Sequence, residues 1–152
     1  MKVLEGLLLI NGIDIYKEFG VFLCEKKQDE FSNYDELMKP ATAKSQTEVD
    51  YLERDGVELP SKLTVSLQAR DVKLYFAIYA EDEETYFTKF GNFFSFLRTG
   101  NNGWLTFDLQ EMNRTYKMHY VGPEDFEQLT PLKEGGVGSR FHLKFREPKP
   151  LY

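Results

Sequence analysis

Between Arg70 and Gly122 the spacing of apolar residues changes from two to about 3.6 and back to two, which restricts the fold more than any other part of the chain. Val72, Leu74, Phe76, Ile78 and Ala80 share one face of an extended segment, with Lys73, Tyr75, Ala77 and Tyr79 opposite. This composition predicts a strand covered on both faces. Asp82 then supplies a helix cap, and Glu83 and Glu84 place negative charge beside the first-turn amides. Tyr86, Phe90, Phe93 or Phe94, and Leu97 recur at helical spacing. Arg98 closes the last turn and Gly100 provides a left-handed stop, so a helix is expected over about 82–98. After Asn101-Asn102-Gly103, residues 104–109 and 114–121 predict two strands joined by an ordinary hairpin loop.

The flanking segments extend the β pattern. Residues 3–10 predict a buried strand ending at the tight-turn dipeptide Asn11-Gly12. A short segment, Ile13 to Phe19, leads to Gly20, and Val21 to Cys24 predict another strand running into Glu25-Lys26-Lys27. The last strand alternates Phe141, Leu143 and Phe145 with Arg140, His142, Lys144 and Arg146, giving one basic face. Leu63, Val65 and Leu67, alternating with Thr64, Ser66 and Gln68, predict a half-buried strand as well. Residues 28–60 differ in kind. They carry Pro40, Pro60 and many charged residues with few periodic apolar positions, a length well beyond an ordinary loop in a compact domain. Within them Asp35 to Met38 can form one helical turn, and Val49 to Glu53 a short strand closed by Asp55-Gly56.

These elements predict a mainly β (α+β) fold over a single domain, 1–152: an antiparallel β-sandwich or split barrel flanked by one helix. A chain of 152 residues buries roughly 70% of its unfolded surface and needs no metal or disulfide for stability. The 13 Phe and 9 Tyr suit a pleated core. A formal charge of −6 opposes duplex DNA binding, which requires clustered cations. Cys24 has no partner for an intrachain disulfide and is expected to be a buried, inert thiol in a reducing compartment. Leu7 to Ile10 is too short for a signal peptide, and no stretch reaches the ~20 apolar residues of a membrane span.

No constellation predicts catalysis, a metal or a cofactor. His119 and His142 fall on separate strands without companion ligands. Ser139 lacks the second glycine of a nucleophile elbow. Gly135-Gly136-Val137-Gly138 fails the dinucleotide pattern at Phe141 and is expected to be a flexible connection. Glu81-Asp82-Glu83-Glu84 lacks calcium-loop spacing and is a helix-start charge cluster. Asn113-Arg114-Thr115 matches a glycosylation acceptor but follows no secretory signal. Trp104 is expected to pack over the helix end.

The order of elements resembles the N-terminal domain of bacteriophage distal tail proteins and the tail-tube-like fold they share. The likeness rests on Ile10-Asn11-Gly12-Ile13-Asp14, Phe19-Gly20-Val21, Arg70-Asp71-Val72-Lys73-Leu74, Leu97-Arg98-Thr99-Gly100 and Arg114-Thr115-Tyr116-Lys117-Met118. The resemblance implies a non-enzymatic phage or prophage tail component that forms rings with itself, a hexamer by analogy, and meets other tail or baseplate proteins. It implies a virion location after synthesis in the bacterial host cytoplasm, without sequence-specific nucleic-acid recognition or membrane contact. With Tyr152 soon after the last strand, the chain is expected to depart from distal tail proteins in lacking an appended C-terminal domain, so tube, adaptor, baseplate and tail-completion positions all stay open.

Ring formation needs complementary surfaces. The acidic residues Glu81, Asp82, Glu83 and Glu84 and the basic row Arg140, Lys144 and Arg146 are one expected pair. The 28–60 loop, with Tyr51 and Leu52, is expected to drape over a neighbour, and an exposed edge strand to extend a sheet across the interface. The alternative is a carbohydrate- or small-ligand-binding β-sandwich with Trp104, Tyr75, Tyr79 and Tyr120 in one platform. A hydrolase would need a cleft of convergent polar groups, which the sequence does not supply.

Overall fold

The computed structural model describes residues 5–25, 31–132 and 135–152. Seven strands and three helices follow in the order β1 (Leu8–Ile10), β2 (Ile13–Asp14), α1 (Ile15–Phe19), β3 (Val21–Leu23), α2 (Ser32–Met38), β4 (Arg70–Ala80), α3 (Glu83–Thr99), β5 (Leu105–Leu109), β6 (Arg114–Gln128) and β7 (Val137–Glu147). The fold is β-rich α+β. All seven strands belong to one antiparallel sheet in the order β2-β1-β5-β6-β7-β4-β3.

Strand β6 makes the sheet bend. Its first part pairs with β5 and its second with β7, and register shifts at Tyr120/Gly122 and Pro123/Asp125 interrupt the second ladder. Gly122 and Pro123 supply the residue types that bulges tolerate. The two halves of the sheet therefore curl over a shared core, and the ring of Phe107 on β5 lies 4.9 Å from that of Phe145 on β7.

Helix α3 fills this curl. The Asp82 carboxylate accepts the Thr85 amide at 2.7 Å, so the expected cap is in place. Tyr86, Phe93, Phe94 and Leu97 are buried, and Phe141 on β7 lies within ring contact of Phe76, Phe90, Phe93 and Phe94. Phe90 is half-buried and packs against the edge of the core, in ring contact with Phe126 on β6 and Phe141 on β7. Ser139 is buried too, its hydroxyl 2.6 Å from the Tyr86 hydroxyl, which occupies it as a core polar partner.

Other turns follow the chemistry of their residues. Asn11 and Gly12 both take positive φ, 54° and 79°, as a two-residue hairpin between β1 and β2 demands. Asp14 caps α1, and Gly20 ends it in the left-handed region. Asn33 is buried on α2, and its side chain bonds the main chain of two strands. Its amide nitrogen donates to the carbonyls of Cys24 (2.7 Å) and Tyr75 (3.2 Å), and its oxygen accepts the Tyr75 amide (2.8 Å). It thus continues the β3–β4 ladder past the end of β3.

Several expectations need correction. Residues 63–68 form no strand; Leu63, Val65 and Leu67 are exposed, because this segment projects from the body with nothing to cover it. Strand β1 begins at Leu8, and residues 3 and 4, like Lys26 and Lys27 and positions 28–30, lie outside the described residues. α1 and α2 join the single helix expected, α2 replacing the one turn at 35–38. Strand β6 runs seven residues beyond the expected end at Val121, since β7 gives it a partner. Gly100 stops α3 at φ 48° and ψ −142°, outside the left-handed well; a Cβ there would stand 2.5 Å from the Trp104 carbonyl oxygen. The glycine stretch is no flexible connection at Gly136 and Gly138: a Cβ on Gly136 would collide with the Tyr79 ring, and Gly138 is buried in β7. Tyr79 itself is largely exposed, so β4 is not covered on both faces along its whole length.

Candidate functional site

Residues 39–69 leave the body at the end of α2 and return at the start of β4 as a self-paired arm. The Lys44 amide donates to the Ser66 carbonyl at 2.7 Å, and the Gln68 amide to the Thr42 carbonyl at 2.8 Å. Farther out, Val49 and Glu58 exchange both main-chain bonds, at 3.0 and 2.7 Å. Gly56, at φ 70°, lies within the tip. The short strand expected over Val49 to Glu53 does not form: only Val49 pairs, in an isolated bridge with Glu58, and Asp55-Gly56 lies within the wider loop between them.

The arm exposes apolar side chains along both limbs. Val49, Tyr51 and Leu52 stand on the outgoing limb and tip, and Val57, Leu59, Leu63, Val65 and Leu67 on the returning one. Leu52 is 99% exposed. Eight large apolar side chains of the arm are thus left in water by their own chain.

The root of the arm is built differently, around Arg70. Its Nε donates to Glu147 Oε1 at 2.5 Å, and its Nη atoms donate to the carbonyls of Glu36 (3.1 Å), Lys39 (2.5 Å) and Leu37 (2.8 Å). Helix α2 has no basic residue in its last turn, so Arg70 satisfies carbonyls that the helix end leaves unpaired. The guanidinium lies over the Tyr116 ring at 5.7 Å, and the Tyr116 hydroxyl is 3.0 Å from that of Tyr152. The Tyr152 carbonyl in turn accepts the Ala41 amide at 3.0 Å. Burial, aided by the Tyr152 hydrogen bond, pushes the Tyr116 phenol above its ordinary range. No sequence pattern announces this clamp, since Arg70 reads only as the first residue of a strand.

The other expected interface residues occupy two separate regions. Glu81, Asp82, Glu83 and Glu84 sit at the start of α3, and the main-chain bond from Thr85 holds the Asp82 carboxyl below the usual range. The basic row lies on the outer face of β7, and local carboxylates answer each cation. Arg140 meets Glu127 at 2.5 Å, while Lys144 and Arg146 share Asp71 at 3.5 and 2.9 Å.

The four rings of the expected platform do not converge. Trp104 stands edge-on to His119 at 5.9 Å with the Lys117 ammonium over it at 4.8 Å. Its backbone, not its ring, closes the helix end through the Asn101 bridge. Tyr75 stacks on His142 at 3.9 Å, Tyr79 crosses Gly136, and Tyr120 packs into the core against Phe94 and Phe145. Burial pulls the His142 imidazole below its ordinary pKa. Among the described residues no group of three or more His, Cys, Asp or Glu could hold a metal ion, and no helix is long and apolar enough to cross a membrane. Cys24 is partly buried, and burial pushes its thiol up to about 11.

No family pattern and no curated protein matches the chain in sequence. Its fold does have a solved counterpart. The crystal structure of SPP1 Dit (gp 19.1), described as a paradigm of the hub adsorption apparatus in phages that infect Gram-positive bacteria, superposes with a TM-score of 0.58 at 14% identity. This chain has the fold of about half of that Dit protein. The match covers 95% of this chain and 50% of the Dit chain, so the chain spans about half of its structural counterpart. This likeness in fold agrees in part with the resemblance read from the sequence.

Proposed function

We propose that residues 1–152 form one structural unit of a phage or prophage tail, a distal-tail, tube or adaptor protein that assembles with copies of itself into rings. The observation that carries this reading is the self-paired arm with an apolar surface on a Dit-like fold. Such an arm is costly to leave in water, and a neighbouring subunit would cover it. A heterologous contact of this kind repeats around a ring when its rotation closes.

The role is mechanical, without catalysis or a cofactor. The assembled ring is a hexamer by analogy, stacks on other tail or baseplate proteins, and resides in the virion after synthesis in the host cytoplasm. The acidic start of α3 and the basic row on β7 add steering between neighbours. That contribution is small, because Asp71 and Glu127 already neutralise much of the row. Tyr51 and Leu52 carry the larger share through apolar burial.

Sedimentation velocity at rising protein concentration tests the reading. The full chain is expected to populate a closed oligomer, and a variant with residues 42–68 replaced by a short turn to remain monomeric. A full chain that stays monomeric up to millimolar concentration contradicts it.

A further inference from the structure

The body carries an open apolar pocket of about 270 Å³ between β1, α1, β3 and α2. Buried Leu8, Val21 and Leu109 and exposed Phe31 line it, and Glu25 and Glu111 bring two carboxylates into the same lining. Glu25 accepts the amides of Ser32 (2.9 Å) and Asn33 (3.3 Å) and the Ser32 hydroxyl, and Glu111 accepts the Tyr34 hydroxyl. Among the described residues neither carboxylate meets a cation. An apolar cavity of about 150 Å³ already takes up benzene. This larger pocket suits an occupant with an apolar body and a positive head.

The tip of the arm has that chemistry. Leu52 stands fully in water, and Arg54 donates its amide to the Tyr51 carbonyl at 3.2 Å with its guanidinium 5.1 Å over the Tyr51 ring. One turn therefore presents a leucine, an aromatic ring and a cation together. The only ion pair of Arg54 among the described residues is an exposed contact with Glu58 at 3.4 Å, which a less hydrated carboxylate can replace. Because Leu52 is exposed within its own chain, the tip does not fill its own pocket.

We infer that the arm tip of one copy seats Leu52 in the pocket between β1, β3 and α2 of the next, with Arg54 turned toward Glu111 and Glu25. The inference rests on the ring reading above and assigns it a contact. Tip and pocket are different patches, so the contact is heterologous, as a ring requires. Asp50, Glu53 and Asp55 on the same tip oppose the approach, so apolar burial drives the contact and Arg54 orients it.

Photo-cross-linking of the full chain tests this, with a benzophenone side chain at position 52 and the cross-linked peptides located by mass spectrometry. Cross-links are expected to residues 22–25, 31–34 or 109–111 of a second copy. Arg54→Glu and Glu111→Arg should each lower the yield several-fold, and the double variant should restore it. Cross-links elsewhere, or no restoration in the double variant, overturn the docking site. If sedimentation still detects the oligomer, the ring reading survives that result; if the unmodified chain does not associate at all, both fall together.

Discussion

Arg70 and Glu147 form a nearly enclosed ion pair, 2.5 Å from Nε to Oε1, at the point where both limbs of the arm join the body. Arg70 also donates to three carbonyls at the end of α2, so one side chain ties the outgoing limb, the returning limb and β7 together. Removing either partner leaves a buried charge alone. Arg70→Ala is expected to cost ~3 to 5 kcal/mol in denaturant unfolding. Arg70→Lys should recover little of this, because an ammonium cannot match the planar fork. Hydrogen exchange at residues 39–44 should accelerate in both variants if the clamp holds the root.

Asn33 bonds the Cys24 and Tyr75 carbonyls and the Tyr75 amide with one side chain. Asn33→Asp keeps the shape and loses both donors, leaving two carbonyls facing a carboxylate. A loss of about 1 to 3 kcal/mol is expected, with Asn33→Ala in the same range. Unchanged thermal unfolding in both variants would remove this side chain from the list of fold determinants.

The aromatic stripe of α3 divides by burial. Phe93 is fully enclosed and touches Phe19, Phe76 and Phe141, whereas Phe90 is half-buried near Phe126. Phe93→Ala is expected to cost ~3 to 5 kcal/mol, and Phe90→Ala clearly less. Equal losses in urea titrations would mean that the helix is rotated relative to this account.

Cys24 sets a pH dependence with a definite sign. Burial raises its thiol from 9.0 to about 11, so below pH 9 it is protonated whether the chain is folded or not. As pH rises further, the unfolded chain releases the proton first. Stability therefore falls between pH 9 and about 11 through this group. Cys24→Ala should lose less over that window than the parent, measured by denaturant midpoints at each pH.

The sequence made β4, α3, the β5–β6 hairpin and β7 legible because in each the apolar period, the caps and the turn residues agree. The same alternation misled at Leu63, Val65 and Leu67, where a strand-like pattern faces water. Period reports which side chains share a face and is silent on what covers that face. The arm was legible as an unusually long segment, but its pairing was not, since the partners of Ser66 and Val49, namely Lys44 and Glu58, lie in stretches without a β signature of their own. Arg70 and Asn33 were invisible as site residues because their partners, main-chain atoms and for Arg70 also the Glu147 carboxylate, lie far along the chain or on the backbone and are brought close only by the fold. At Gly136 the reason for glycine is the Tyr79 ring across the strand pair, a contact that no local window contains.

Electron microscopy of the concentrated protein tests the central claim most directly. Closed rings of one size are expected for the full chain, and their absence after replacement of residues 42–68 by a short turn. A field of single particles no larger than one chain, identical with and without the arm, would contradict the account.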